Sequence, residues 1–141
     1  MRVECFLDTN VLVYAVDNDP AGLAKKKAAM ELLEHADFGL SAQVLQEFYV
    51  TVTRKIEVPL SPDEALAYLV RLEVFPSVPV DAALITGGIR NSVRYQISYW
   101  DGAILAAAVR LASKTVYSED LNHGQRYGDV EVVNPFIGVS E

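Results

Sequence analysis

Residues 6–16 read FLDTNVLVYAV, almost wholly apolar yet carrying Asp8, Thr9 and Asn10 at the centre. An ionised carboxylate in such a run is costly unless it is paired, metal-bound or capping a helix. The polar triplet also cuts the run in two. Residues 3–7 alternate as a short strand that stops at Asp8, and residues 10–16 have helical character. A strand that ends on a carboxylate and passes at once into a helix is the opening of an α/β unit.

The alternation continues. Residues 17–22 (DNDPAG) are turn chemistry, and residues 23–35 form a helical pattern with Ala24, Ala28 and Leu32 on one stripe. Residues 38–40 suit a short strand. Ser41 is placed as the N-cap of a helix reaching about Lys55, with Pro59 as its stop. Ser61-Pro62-Asp63-Glu64 opens a helix ending near Leu72. Residues 75–80 are extended, Asp81 caps a helix through about Tyr95, and Ser98 opens another running to Ser113. Residues 115–117 are a β-branched strand, 118–128 a polar loop and 130–133 a last strand. Neither repeats nor a low-complexity linker interrupt residues 1–141, so one domain is expected. Strands alternating with helices predict an α/β fold around a parallel sheet. In such sheets sites form beyond the carboxyl ends of the strands. Two strands end there in polar clusters, Asp8-Thr9-Asn10 and Ser118-Glu119-Asp120.

Bulk properties narrow the chemistry. A chain of 141 residues with 51% hydrophobic content can fill a core, and a domain of this size buries roughly 70% of its unfolded surface. No apolar run approaches the ~18 residues of a membrane span, and the N-terminal residues do not read as a signal peptide. Cys5 is the only cysteine, which excludes an internal disulfide and a Cys-based zinc site. A cytoplasmic location is expected. The formal net charge of −7 argues against broad nucleic-acid affinity, but not against an enzyme that gathers carboxylates to hold divalent metal. A phosphate-binding Gly-x-x-x-x-Gly-Lys loop and a Gly-x-Ser-x-Gly elbow are both missing.

Four acids stand out. On a helix, Val44, Leu45, Phe48, Tyr49 and Val52 form the apolar face, with Glu47 on its flank. Glu47 there reads either as a solvated glutamate paired with Arg54 or Lys55, or as a group reaching over the core's edge toward a pocket. Asp101 shares an azimuth with Leu105, Ala108 and Ala112 and so begins the buried side of its helix. It also fits a capping box with Ser98. Asp120 follows a strand end, and Asp8 doubles as a helix cap. Carboxylates converging in one pocket raise each other's pKa, and hard divalent cations remove that penalty.

These features together resemble the PIN-domain ribonucleases, and among them the VapC-type toxins of toxin–antitoxin pairs. The resemblance rests on the strand ending in Asp8-Thr9-Asn10, Glu47 in the helix from Ser41, Trp100-Asp101 entering WDGAILAAA, and Ser118-Glu119-Asp120 with the tail LNHGQRYGDVEVVNPF. It implies a PIN-like fold, a central parallel sheet of about five strands flanked by helices, often dimeric. It implies that Asp8, Glu47, Asp101 and Asp120 bind one or two Mg²⁺ or Mn²⁺ ions, with Asn10 and Ser118 orienting them. The implied reaction is metal-dependent hydrolysis of RNA, leaving a 5′-phosphate. The implied partners are an RNA substrate, a cognate antitoxin and a second copy of the chain. Asn122 stands where many members carry a further acid, so either Glu119 compensates or the fourth corner binds metal weakly. Arg54, Arg90, Arg94 and Lys25, Lys26 and Lys27 are candidates for RNA contact, the three lysines reading first as solubilising charges.

Other readings remain open on the residues alone. A phosphatase using Asp8 as nucleophile wants a second acid where Asn10 stands. A phosphoacceptor switch needs a lysine by the acids, and Lys114 begins its strand at the opposite end. A degenerate scaffold that only binds RNA would not need the whole quartet.

Overall fold

The computed structural model describes residues 2–139, and residues 1, 140 and 141 of the expected 1–141 domain lie outside it. Strand β1 (Cys5–Leu7) is buried throughout and leads through Asp8 into helix α1 (Thr9–Val16). A 3-10 turn at Pro20–Gly22 precedes α2 (Leu23–His35), and β2 (Phe38–Ser41) leads into α3 (Ala42–Arg54). Next come α4 (Pro62–Leu72), β3 (Ser77–Val78), and the helix pair α5 (Ala82–Tyr95) and α6 (Tyr99–Arg110). Strands β4 (Thr115–Tyr117), β5 (Arg126–Tyr127) and β6 (Val130–Val133) complete the order.

The strands form one sheet in the order β3-β2-β1-β4-β6-β5. All neighbours run parallel except β5, which pairs antiparallel with β6. Parallel strands must be covered on both faces, and the sheet's centre answers that need with Phe6, Leu7, Leu40, Val116 and Val132, all essentially inaccessible. Helix α1 packs on α2 and α3, α3 on α4, and α6 lies against β2, β4 and β6.

The expected caps hold the helix starts. Ser41 accepts from the Val44 N–H, Asp81 from that of Leu84 and Ser98 from that of Asp101. Ser61 and Glu64 complete a reciprocal capping box. Several expectations need correction. The 118–128 loop contains β5, joined to β6 by a turn in which Gly128 takes φ 64°, so the sheet has six strands among the described residues. The helix from Ser98 stops at Arg110, and Ala112, expected on its buried side, is exposed in a left-handed conformation. Of residues 75–80 only Ser77 and Val78 pair as a strand. Helix α2 packs Ala28 and Leu32 of the expected stripe partly against the core, with Ala29 beside them fully buried, and Tyr49 of α3, expected on the apolar face, is exposed.

The α5–α6 hairpin depends on two glycines. A Cβ on Gly102 would collide with the Gly88 carbonyl and lie 3.0 Å from the Ser92 nitrogen, and a Cβ on Gly88 would meet Ala103 at 3.1 Å. These obstacles are largely backbone, which cannot swing aside. Asn91 Nδ2 donates to the Gly102 carbonyl at 3.0 Å, and Arg110 closes the far end on Asp81 through two bonds of 2.8 and 2.9 Å. Gly102→Ala is therefore expected to cost at least about 1–3 kcal/mol in chemical denaturation. Gly22→Ala, whose Cβ would meet only an Asp17 oxygen at 3.9 Å, should stay within about 0.5 kcal/mol of the parent.

Candidate functional site

The parallel register of β1 and β4 places the two polar clusters side by side. Leu7 pairs with Tyr117, and the Asp8 N–H donates to the Tyr117 carbonyl at 3.0 Å. Asp8 and Ser118, the next residue on each strand, meet at the carboxyl edge of the sheet. Asp8 is 5% exposed. Its Oδ1 accepts from the Thr9 N–H at 2.7 Å, and its Oδ2 accepts from the Ser118 hydroxyl at 2.7 Å. The expected helix cap is thus in place, and the same carboxylate also accepts from the end of the neighbouring strand. The Thr9 hydroxyl beside it is buried without a hydrogen-bond partner among the described residues.

Ser118 is a hub. Its Oγ accepts from Asn10 Nδ2 at 3.3 Å and from the Asp120 N–H at 3.1 Å while donating to Asp8. Asn10 Nδ2 also reaches Asp120 Oδ2 at 3.2 Å, and Asn10 Oδ1 accepts from the Glu119 N–H at 3.3 Å. Asp8, Asn10, Ser118 and Asp120 therefore form one hydrogen-bonded network, with Asp8 buried and Asp120 exposed.

Glu47 and Asp101 approach from helices. Glu47 has no ion pair with Arg54 or Lys55, and its Oε1 accepts from Gln43 Nε2 at 2.8 Å. The same Gln43 nitrogen donates to the Trp100 carbonyl at 3.2 Å, tying Glu47 on α3 to the first turn of α6, where Asp101 sits. Gln43 is 6% exposed and was missed from the sequence. Its one local signal was its place a helical turn before Glu47, within side-chain reach of it.

The charges of these acids reach one another. Burial pushes the Asp8 carboxyl up from 3.8 to about 6; the Ser118 and Thr9 hydrogen bonds oppose this, and the Asp120 and Glu47 charges add to it. The Asp101 carboxyl is also raised, by burial first and then by Asp120, against the Ser98 hydrogen bond. The donor set is all oxygen: carboxylates with amide and hydroxyl neighbours. That chemistry and the mutual repulsion fit a hard divalent cation. No three His, Cys, Asp or Glu side chains among the described residues are drawn into a closed coordination group.

Two residues sit otherwise than expected. Asn122 donates to Gln125 Oε1 at 2.8 Å within its own loop. Glu119 accepts from the Tyr14 hydroxyl at 2.6 Å and pairs with Lys25 at 3.4 Å, so Lys25 is not a free solubilising charge. Tyr14 and Lys25 were invisible as neighbours of Glu119 because their contacts span about a hundred residues of chain.

Solved structures with the same architecture carry informative descriptions. A toxin–antitoxin complex from Klebsiella pneumoniae aligns with a TM-score of 0.70 at 16% identity, over 94% of this chain and 98% of that one. VapC20 of Mycobacterium tuberculosis, described as a Sarcin-Ricin loop cleaving toxin, aligns at 0.67 and 20% identity over 83% of this chain and 90% of its own. FitAcB from Neisseria gonorrhoeae aligns at 0.61 and 24% identity, covering 94% and 98%. At these identities the likeness is one of fold. Among curated proteins nothing matches. The PIN domain family model matches residues 5–128, from β1 to the turn that follows β5, and the chain belongs to the PIN domain family.

Proposed function

We propose that this chain is a metal-dependent endoribonuclease, the toxin of a toxin–antitoxin pair. The observation that carries the reading is the buried Asp8 at the sheet's carboxyl edge. It is held by Ser118, and burial raises its pKa, with the charges of Asp120 and Glu47 adding to the rise. Asp8 and Asp101 would hold the principal Mg²⁺ or Mn²⁺, Glu47 directly or through a water, and Asp120 would complete the site or help hold a second ion. The bound ion would supply Lewis-acid polarisation of the RNA phosphodiester and offset the charge on its oxygens. Asn10 and Ser118 hold the Asp8 and Asp120 carboxylates in place, and Gln43 holds Glu47 against α6. The N-terminus of α6 beside Asp101 favours an anionic substrate. Arg90 and Arg94, both exposed on α5, offer contacts to the RNA backbone.

An antitoxin partner is supported by an open apolar groove of about 250 Å³ whose lining includes Leu12, Met30, Phe48, Tyr68 and Phe75. The phosphatase reading wants a second acid where Asn10 stands, and Asn10 is instead bonded through its amide to Ser118 and Asp120.

Asp8→Asn and Asp101→Asn are each expected to lower Mg²⁺- or Mn²⁺-supported RNA cleavage by about 100-fold or more. Purified variants that cleave RNA as well as the parent would end this reading. In EDTA, Asp8 should also make stability depend on pH. A carboxyl raised from 3.8 to about 6 stabilises the fold fully below pH 3.8, and that contribution is lost as pH rises through 6. Between pH 4 and 7 the parent should lose roughly 2 kcal/mol relative to Asp8→Asn in denaturant titrations. Saturating Mn²⁺ should restore much of that loss at pH 7 in the parent alone.

A further inference from the structure

The cluster on Glu119 lies outside the proposed metal-binding quartet. Tyr14 donates to Glu119 Oε1 at 2.6 Å, and Lys25 Nζ reaches Glu119 Oε2 at 3.4 Å and the Tyr14 oxygen at 3.3 Å. The Lys25 and Glu119 side chains are 26% and 25% exposed, so this ion pair is partly shielded from solvent. The Tyr14 ring is itself braced. It meets the buried Phe136 edge-on at 4.8 Å, and Lys25 Nζ lies 4.9 Å from its centroid. Both oxygens of Glu119 are thereby engaged, by Tyr14 and by Lys25.

Tyr14 lies one helical turn after Asn10 on α1. Asn10 holds the Glu119 N–H, Ser118 Oγ and Asp120 Oδ2, while Tyr14 and Lys25 hold the Glu119 side chain. The Ser118–Asp120 segment is thus held by Asn10 at the Glu119 N–H and the Asp120 carboxylate, and by Tyr14 and Lys25 at the Glu119 side chain.

We propose that Tyr14, Lys25 and Glu119 form a positioning clamp that fixes the Ser118–Asp120 segment. Glu119 then acts through Asp120's placement and is not itself a metal ligand. The metal-related part of this inference rests on the function proposed above; the mechanical part does not. Glu119 therefore does not replace the acid missing at Asn122.

Tyr14→Phe removes one hydroxyl and keeps the ring on Phe136. Tyr14→Phe and Glu119→Gln are compared with their double variant, Lys25→Met and Lys25→Arg. In EDTA, amide hydrogen exchange at Glu119 and Asp120 should quicken about 10-fold in each of the two single variants. Mn²⁺ affinity, followed by electron paramagnetic resonance, should weaken about 10-fold in both. The double variant should be no worse than either single one, and Lys25→Arg should restore what Lys25→Met loses. In RNA cleavage the loss should appear in kcat with KM unchanged.

Exchange and Mn²⁺ affinity at parental values in Tyr14→Phe, with a large Mn²⁺ loss in Glu119→Gln, would make Glu119 a ligand and overturn the clamp. Parental behaviour in all variants would overturn it as well. Were the parent itself to bind no Mn²⁺, the metal-dependent function would fall, and exchange in EDTA would still decide the clamp.

Discussion

The hydrogen bond from Ser118 to Asp8 organises the molecule's functional end. It exists because β1 and β4 run parallel in a register that aligns Leu7 with Tyr117. A slip of one residue would turn each side chain to the other face, taking Asp8 off Ser118 and putting buried apolar residues where polar ones belong. The core and the site therefore enforce the same register. Phe6, Leu7 and Val116 need the interior, and in filling it they deliver the carboxylate and hydroxyl to one point.

The helical contributions follow the same logic by other means. Asp101 owes its position to the close approach of α6 to α5, which only residues lacking a side chain at 88 and 102 allow. Glu47 owes its position to Gln43, whose amide spans from its own helix to the backbone of α6. Two acids come from strand ends and two from helices, and each pair has a polar intermediary: Ser118 with Asn10 in one case, Gln43 in the other.

Much of this was legible because it is local. Caps at Ser41, Ser61, Asp81 and Ser98 obey rules confined to a few residues, and strand ends at Asp8 and Ser118 show as polar breaks after apolar runs. The acidic residues drew notice for the same reason. What escaped required knowledge of the far side of the chain. Gln43 looked like an ordinary helix glutamine until α6 arrived beside it, and Lys25 like a solvated charge until the loop after β4 closed over α1. Strand β5 escaped for a different reason. Two residues are too few to show a pattern, although Gly128-Asp129 was a usable hairpin signal.

The two ends of the sheet are alike in one respect. β3 and β5, the outermost strands, contribute two residues apiece. Such stubs present almost no open row of amides and carbonyls for a foreign strand to zip onto. The molecule has in effect blunted both of its adhesive margins. Exposed apolar side chains instead line up along helices: Leu66, Val70 and Val74 at one-turn intervals along and just beyond α4, and Ile85, Ile89 and Val93 along α5. A partner meeting these faces would engage side chains between helices and leave the sheet's backbone untouched.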